Sequence, residues 1–128
     1  MTTRLARIRV KRAHEPPSPS DGYRILVDRL WPRGLTKDRL QLNLWSNDIA
    51  PSHELRRWFG HDPEKWREFI RRYFIELNAN PCAVNTILSC LQKESVVTFV
   101  FGSKEDKLNN ATALKIYFKF PENSRLIS

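Results

Sequence analysis

The sequence predicts an α/β fold: a small, mostly parallel sheet of about three strands with helices on both faces, in a single compact domain. Three observations point there. Ile25-Leu26-Val27 and Val96-Val97-Thr98-Phe99-Val100-Phe101 are apolar without alternation, as in strands covered on both faces. Between them, Trp66, Phe69, Ile70, Tyr73, Phe74 and Leu77 recur at helical spacing, so the two strand runs are separated by helix. The 128 residues suit one domain, and a 41% hydrophobic share is enough to pack its core.

The elements follow in order. A first strand is expected from about Ala6 to Arg12. Pro16-Pro17-Ser18-Pro19-Ser20-Asp21-Gly22 then makes a turn, because its prolines lack N–H donors. The second strand runs from Tyr23 to Arg29, and Trp31-Pro32-Arg33-Gly34 leads the chain out of the sheet. Thr36 caps a short helix, and Ser52 caps another that ends near Trp58 before Gly60. Asp62-Pro63 restarts the chain as the long amphipathic helix. Pro81 opens the next helix, which turns Val84, Ile87, Leu88 and Leu91 inward. After the strand at Val96–Phe101, Gly102-Ser103 breaks the run. Asp106 is the expected cap of a last helix burying Leu108, Ala111, Leu114, Tyr117 and Phe118. The domain is expected to span 4–120, with 121–128 a loose tail.

Charge and composition narrow the function classes. Lys and Arg number 22 against 14 Asp and Glu, a formal charge of +8, and the isoelectric point is near 9.9. Anionic partners are favoured. No apolar run approaches the roughly 20 residues of a membrane span, and MTTRLARIRV lacks the apolar core of a signal peptide. The expectation is a cytoplasmic protein with no membrane partner. Cys82 and Cys90 fall on one predicted helix, ~12 Å apart along its axis, too far for a disulfide. With His14 and His53 lacking carboxylates or cysteines at ligand spacing, no metal is expected. Glycine-rich nucleotide loops and a Gly-x-Ser-x-Gly elbow are absent from the sequence, so no cofactor is expected either.

In a parallel sheet, ligands gather outside the carboxyl ends of the strands. Two segments reach that edge. One carries Asp28, Arg29, Trp31, Arg33 and Gly34; the other carries Ser103 and Lys104 and leads to Asn109 and Asn110 on the last helix. Guanidinium groups, amides and a hydroxyl together match phosphate or carboxylate oxygens, and the Trp31 face suits stacking. Asp28, Arg29 and Arg33 are the weak candidates for chemistry. Each residue also has a structural reading: Asp28 can pair with a loop N–H, Trp31 can pack on a helix, and the asparagines can satisfy loop backbone. For His61-Asp62, capping by Asp62 and a backbone bond from His61 stand ahead of a base and its orienter.

Three functional readings result. The first is a binder, or an enzyme, for a small phosphate- or carboxylate-bearing anion at the strand edge. The second is a nucleic-acid-binding accessory protein using Arg4, Arg7, Arg9, Lys11 and Arg12. The third is a protein-interaction scaffold. None of them sets an oligomeric state.

Longer motifs carry a resemblance. The run from Ser20 to Gly34 (SDGYRILVDRLWPRG), Ile49-Ala50-Pro51-Ser52, Trp58-Phe59-Gly60-His61-Asp62-Pro63, Arg72-Tyr73 and Asn109-Asn110-Ala111 resemble the YeaO-like family, within the domain of unknown function 488. The likeness spans about residues 7–118. It implies a small single-domain α/β protein of bacterial type and adds weight to Asp28–Gly34 and Asn109-Asn110 as a shared site. It carries over no reaction, cofactor or substrate. Phe101 stands where the family often has Tyr, Leu108 where a polar residue is common, and Gly102-Ser103 where a small pair ending in Ala is usual.

Overall fold

A computed structural model describes residues 5–120; the expected start at residue 4 and the expected tail over 121–128 lie outside the described residues. The strands are β1 (Arg7–Arg12), β2 (Tyr23–Leu26), β3 (Leu44–Trp45) and β4 (Val96–Phe101). They form one sheet in the order β1-β4-β2-β3, with every pair parallel. The helices are α1 (Lys37–Leu40), α2 (His53–Phe59), α3 (Trp66–Asn78), α4 (Pro81–Lys93) and α5 (Asn110–Lys119). None is long and apolar enough to cross a membrane.

The sheet has four strands rather than about three. β3 is two residues long, too short to leave a periodic pattern, and pairs Ile25 with Leu44 and Leu26 with Trp45. β2 ends at Leu26, earlier than Arg29, although the Val27 N–H still donates to the Val100 carbonyl at 3.0 Å.

The two sheet faces are covered unequally. Ile25, Val97, Phe99 and Phe101 point into the main core with Leu55 and Phe59 of α2, Phe69 and Tyr73 of α3, Ile87 of α4 and Leu114 of α5. On the other face Leu26 and Val100 meet Ala13 and Leu40 of α1, with Trp31, Leu35 and Leu42 packed alongside. Burial of large side chains on the first face supplies most of the driving force.

Caps follow the expected chemistry, with one correction. Thr36, Ser52 and Asp62 each accept a backbone N–H, from Arg39, Leu55 and Glu64. Gly60 ends α2 in a left-handed conformation, φ 54°. Asp62-Pro63 opens a short 3₁₀ turn that runs directly into α3. The cap of α5 is Asn109, not Asp106: its side chain accepts from Thr112 N at 2.9 Å. Leu108 therefore precedes the helix and packs partly buried against the core.

Ahead of β2, Asp21 is fully buried and collects charge. It accepts from the Ser18 N–H, from Lys11 Nζ at 3.0 Å and from Arg24 Nη1 at 2.8 Å, with Arg9 Nη1 at 3.8 Å. Thr98 Oγ1 donates to the Asp21 carbonyl, tying the turn to β4. The chain then passes through Gly22 at φ 63°, where a Cβ would fall 2.3 Å from the Val96 carbonyl oxygen. Only glycine fits there.

Burial pushes the Asp21 carboxyl up, but the Ser18 N–H, Lys11 and Arg24 outweigh it and hold the group below its ordinary value of 3.8. A lowered carboxyl stabilises the fold above its unfolded pKa and loses that contribution as pH falls through the folded one. Asp21→Ala is expected to cost about 3–5 kcal/mol, because it strands Arg24 as a buried charge. Urea unfolding below pH 3.8 should show a steeper loss of stability in the wild type than in the variant.

Candidate functional site

The carboxyl ends of β2 and β4 lie side by side, and α5 starts beside them. Asp28 bridges all three. Its Oδ2 accepts the Gly102 N–H at 2.7 Å, and its Oδ1 accepts Asn110 Nδ2 at 3.0 Å. The same Asn110 amide donates to the Val27 carbonyl at 3.1 Å. Burial raises the Asp28 carboxyl above its ordinary value, against the opposing pull of Asn110, the Gly102 N–H and the charge of Arg56. A Cβ on Gly102 would sit 3.2 Å from Asp28 Oδ2 and 3.7 Å from Pro32, so the glycine permits this close approach.

Around this bridge lies a cleft of about 280 Å³ lined by Asp28, Arg29, Trp31, Ser103 and Asn110 from the expected set. Arg29 donates to the Ala50 and Pro51 carbonyls at 3.2 and 3.4 Å, bracing the loop after β2 against the segment that enters α2. Trp31 donates from Nε1 to the Leu35 carbonyl at 2.6 Å and packs edge-on to Trp45, 5.5 Å between centroids. Its body belongs to the smaller core. Ser103 Oγ accepts the Glu105 N–H at 3.0 Å. Arg33, Gly34 and Lys104 are exposed and do not line the cleft, with Gly34 turning the chain at φ 81°. Asn109 is buried, holds the Glu105 carbonyl, and borders an adjoining cleft instead.

Two ionisable lining residues, Arg56 and His61, come from outside the segments that the sequence places at this edge. Arg56 comes from α2, where it is one of several arginines spaced among glutamates. Ser52 positions that helix by donating from N and Oγ to Glu76 of α3, at 2.8 and 2.6 Å, while Arg72 and Lys65 lie over the Trp58 ring. Among the described residues, no hydrogen bond or ion pair engages the Arg56 guanidinium. His61 lines the same cleft and adopts φ 58°, a left-handed conformation that few non-glycine residues take. Asp62 beside it does act as a cap, as its position implied. The available signal for His61 was its place just after a helix-ending glycine.

No group of three or more His, Cys, Asp or Glu side chains placed to hold a metal ion occurs among the described residues. Asp28, already accepting from two protein donors, is built as a bridge. Asp28→Asn turns an acceptor into a donor facing the Gly102 N–H or the Asn110 amide, and should cost about 1–3 kcal/mol. Asn110→Ala is expected to cost about 1 kcal/mol, and the double variant less than the sum of the two. Urea denaturation of the three proteins measures all of this.

Comparison with known proteins agrees with the motif resemblance. A family model described as the inactive DUF488-N3 subclade matches residues 7–120. The Mycobacterium tuberculosis protein Rv3073c is 41% identical over 111 residues, covering 87% of this chain and 92% of its own length. Escherichia coli YeaO is 39% identical over 107 residues, covering 84% and 92%. Both carry the description "uncharacterized protein". No solved structure matches. On the family model and these identities together, the chain is a YeaO-like member of the DUF488 family.

Proposed function

We propose that this protein binds a small phosphate- or carboxylate-bearing anion in the cleft at the carboxyl ends of β2 and β4, and does so without turning it over. The observation that carries the reading is the Arg56 guanidinium, on the cleft wall and free of hydrogen bonds from its neighbours among the described residues. A guanidinium in that position offers paired N–H groups to an oxyanion. Asn110 and Ser103 add polar groups from the facing side, and His61 borders the same space. The absence of turnover is supported by the state of Asp28. Its carboxylate is engaged by two protein donors, and among the described residues no nucleophile is bonded to it. The matching family model, described as an inactive subclade, points the same way. The proposal takes the cytoplasm as its setting.

A nucleic-acid reading draws on the net charge of +8. It is weakened by the N-terminal strand itself, because Arg9 and Lys11 turn toward the buried Asp21 carboxylate. Those two charges are partly neutralised before any phosphate backbone could use them.

Thermal unfolding with inorganic phosphate and acetate tests the proposal. A ligand that binds only the folded state raises the midpoint by mass action. The midpoint is expected to rise for the wild type and for Arg33→Ala, and the rise should vanish in Arg56→Gln. A rise of equal size in Arg56→Gln would overturn the reading, and a response only to DNA or RNA at low salt would replace it with the nucleic-acid one.

A further inference from the structure

Beside the strand-end cleft lies a second one of about 370 Å³. The two share Leu30, Arg56, His61 and Asn110 as lining residues, so they meet along one seam. Their characters differ. The second cleft is floored by the rings of Phe59 and Phe69, stacked with centroids 4.3 Å apart, and walled by Leu30 and Pro51. Among the described residues, no acidic side chain lines it. Its polar rim is cationic or neutral: Arg56, and Arg57 bonded to His53 at 2.6 Å.

Leu30 is the telling residue. It is 69% exposed, the most exposed large hydrophobic side chain among the described residues, and it stands at the seam between the two clefts. An isolated exposed leucine is ordinary. One that lines the same cleft as the Phe59 and Phe69 rings, with the Arg56 guanidinium at the same seam, makes half of an amphiphilic pocket.

We infer that the ligand is an anion joined to an apolar body the size of one ring, with the anionic group held by Arg56 at the seam and the body lying in the second cleft between Leu30 and the Phe59–Phe69 floor. The inference rests on the strand-end reading and adds the class of molecule to it. Inorganic phosphate or acetate would fill the polar half alone and leave Leu30 in water. An aryl or short-acyl phosphate or carboxylate would fill both halves and cover that side chain. At the anionic end, the Asp28 carboxylate that lines the strand-end cleft is already engaged by the Gly102 N–H and Asn110, and burying one guanidinium against an oxyanion needs the paired geometry that arginine supplies.

The test is calorimetric titration of phenyl phosphate, inorganic phosphate and phenol into the wild type, Leu30→Ser and Arg56→Gln. Phenyl phosphate is expected to bind the wild type about tenfold tighter than inorganic phosphate, the gain from burying one face of a ring. In Leu30→Ser the ratio of the two affinities should shrink about threefold or more, because the apolar contact on the ring is lost while both anions meet the same new hydroxyl. In Arg56→Gln both anions should weaken. Leu30 and Arg56 are both exposed, so neither change threatens the core.

Equal affinities for phenyl phosphate and inorganic phosphate would overturn the inference while leaving the strand-end anion site standing. An aryl advantage untouched by Leu30→Ser would also overturn it, since the body would then lie elsewhere. Phenol binding as tightly as phenyl phosphate would remove the anionic requirement. Failure of both anions would sink the inference and the strand-end reading together.

Discussion

The carboxylate of Asp28 is the interaction around which the functional end of this fold is arranged. Parallel strands end at a common edge, but their loops need something to hold them together there. Asp28 does this from the end of β2, with one oxygen on the backbone of β4 through Gly102 and the other on the first residue of α5 through Asn110. Asn110 closes the bridge back onto the Val27 carbonyl. The result is a braced cleft wall, and it engages the one acidic group that lines the cleft among the described residues. An unpaired buried carboxylate would be costly, while one with two matched donors is tolerated.

A second carboxylate stands just before β2, and the contrast between the two explains where the protein's charge is available. Asp21 draws Lys11, Arg24 and Arg9 toward one buried point. Glu68 does the same on the surface of α3, where Arg71 and Arg72 hold its carboxyl down to about 2. The net charge of +8 is therefore spread unevenly. Arg9, Arg24, Arg71 and Arg72 already have carboxylate partners, and Arg56 does not form such a pair among the described residues. Local pairing, rather than the total, decides where an anion would settle.

Much of this was legible in the sequence because the signals were local. Unbroken apolar runs marked the buried strands β2 and β4, the 3.6-residue stripe marked α3, and Thr36, Ser52 and Asp62 marked helix starts through a single side-chain acceptor each. The errors also have local causes. β3 is too short to show a period, and Asp106 and Asn109 carry equally good capping groups, so only the path of the loop decides between them. At the site, Asp28, Arg29, Trp31, Ser103 and Asn110 converge because strand ends in a parallel sheet must. Arg33, Gly34 and Lys104 fall on the solvent side of their loops, a matter of turn geometry that residue type does not reveal. Arg56 and His61 enter from α2 and its end, brought to the edge by the Ser52–Glu76 and Arg29–Ala50 contacts, which join residues 24 and 21 positions apart. No pattern in sequence encodes pairings at that separation.

The most direct test is a map of which backbone amides respond to phenyl phosphate in a two-dimensional nitrogen–proton spectrum of the labelled protein. The shifts are expected to concentrate at Gly102, Ser103, Asn110, Arg56 and His61, with Leu30 moving alongside them and β1 left still. Shifts gathered at Arg7, Arg9 and Lys11, or no saturable shift anywhere, would contradict it.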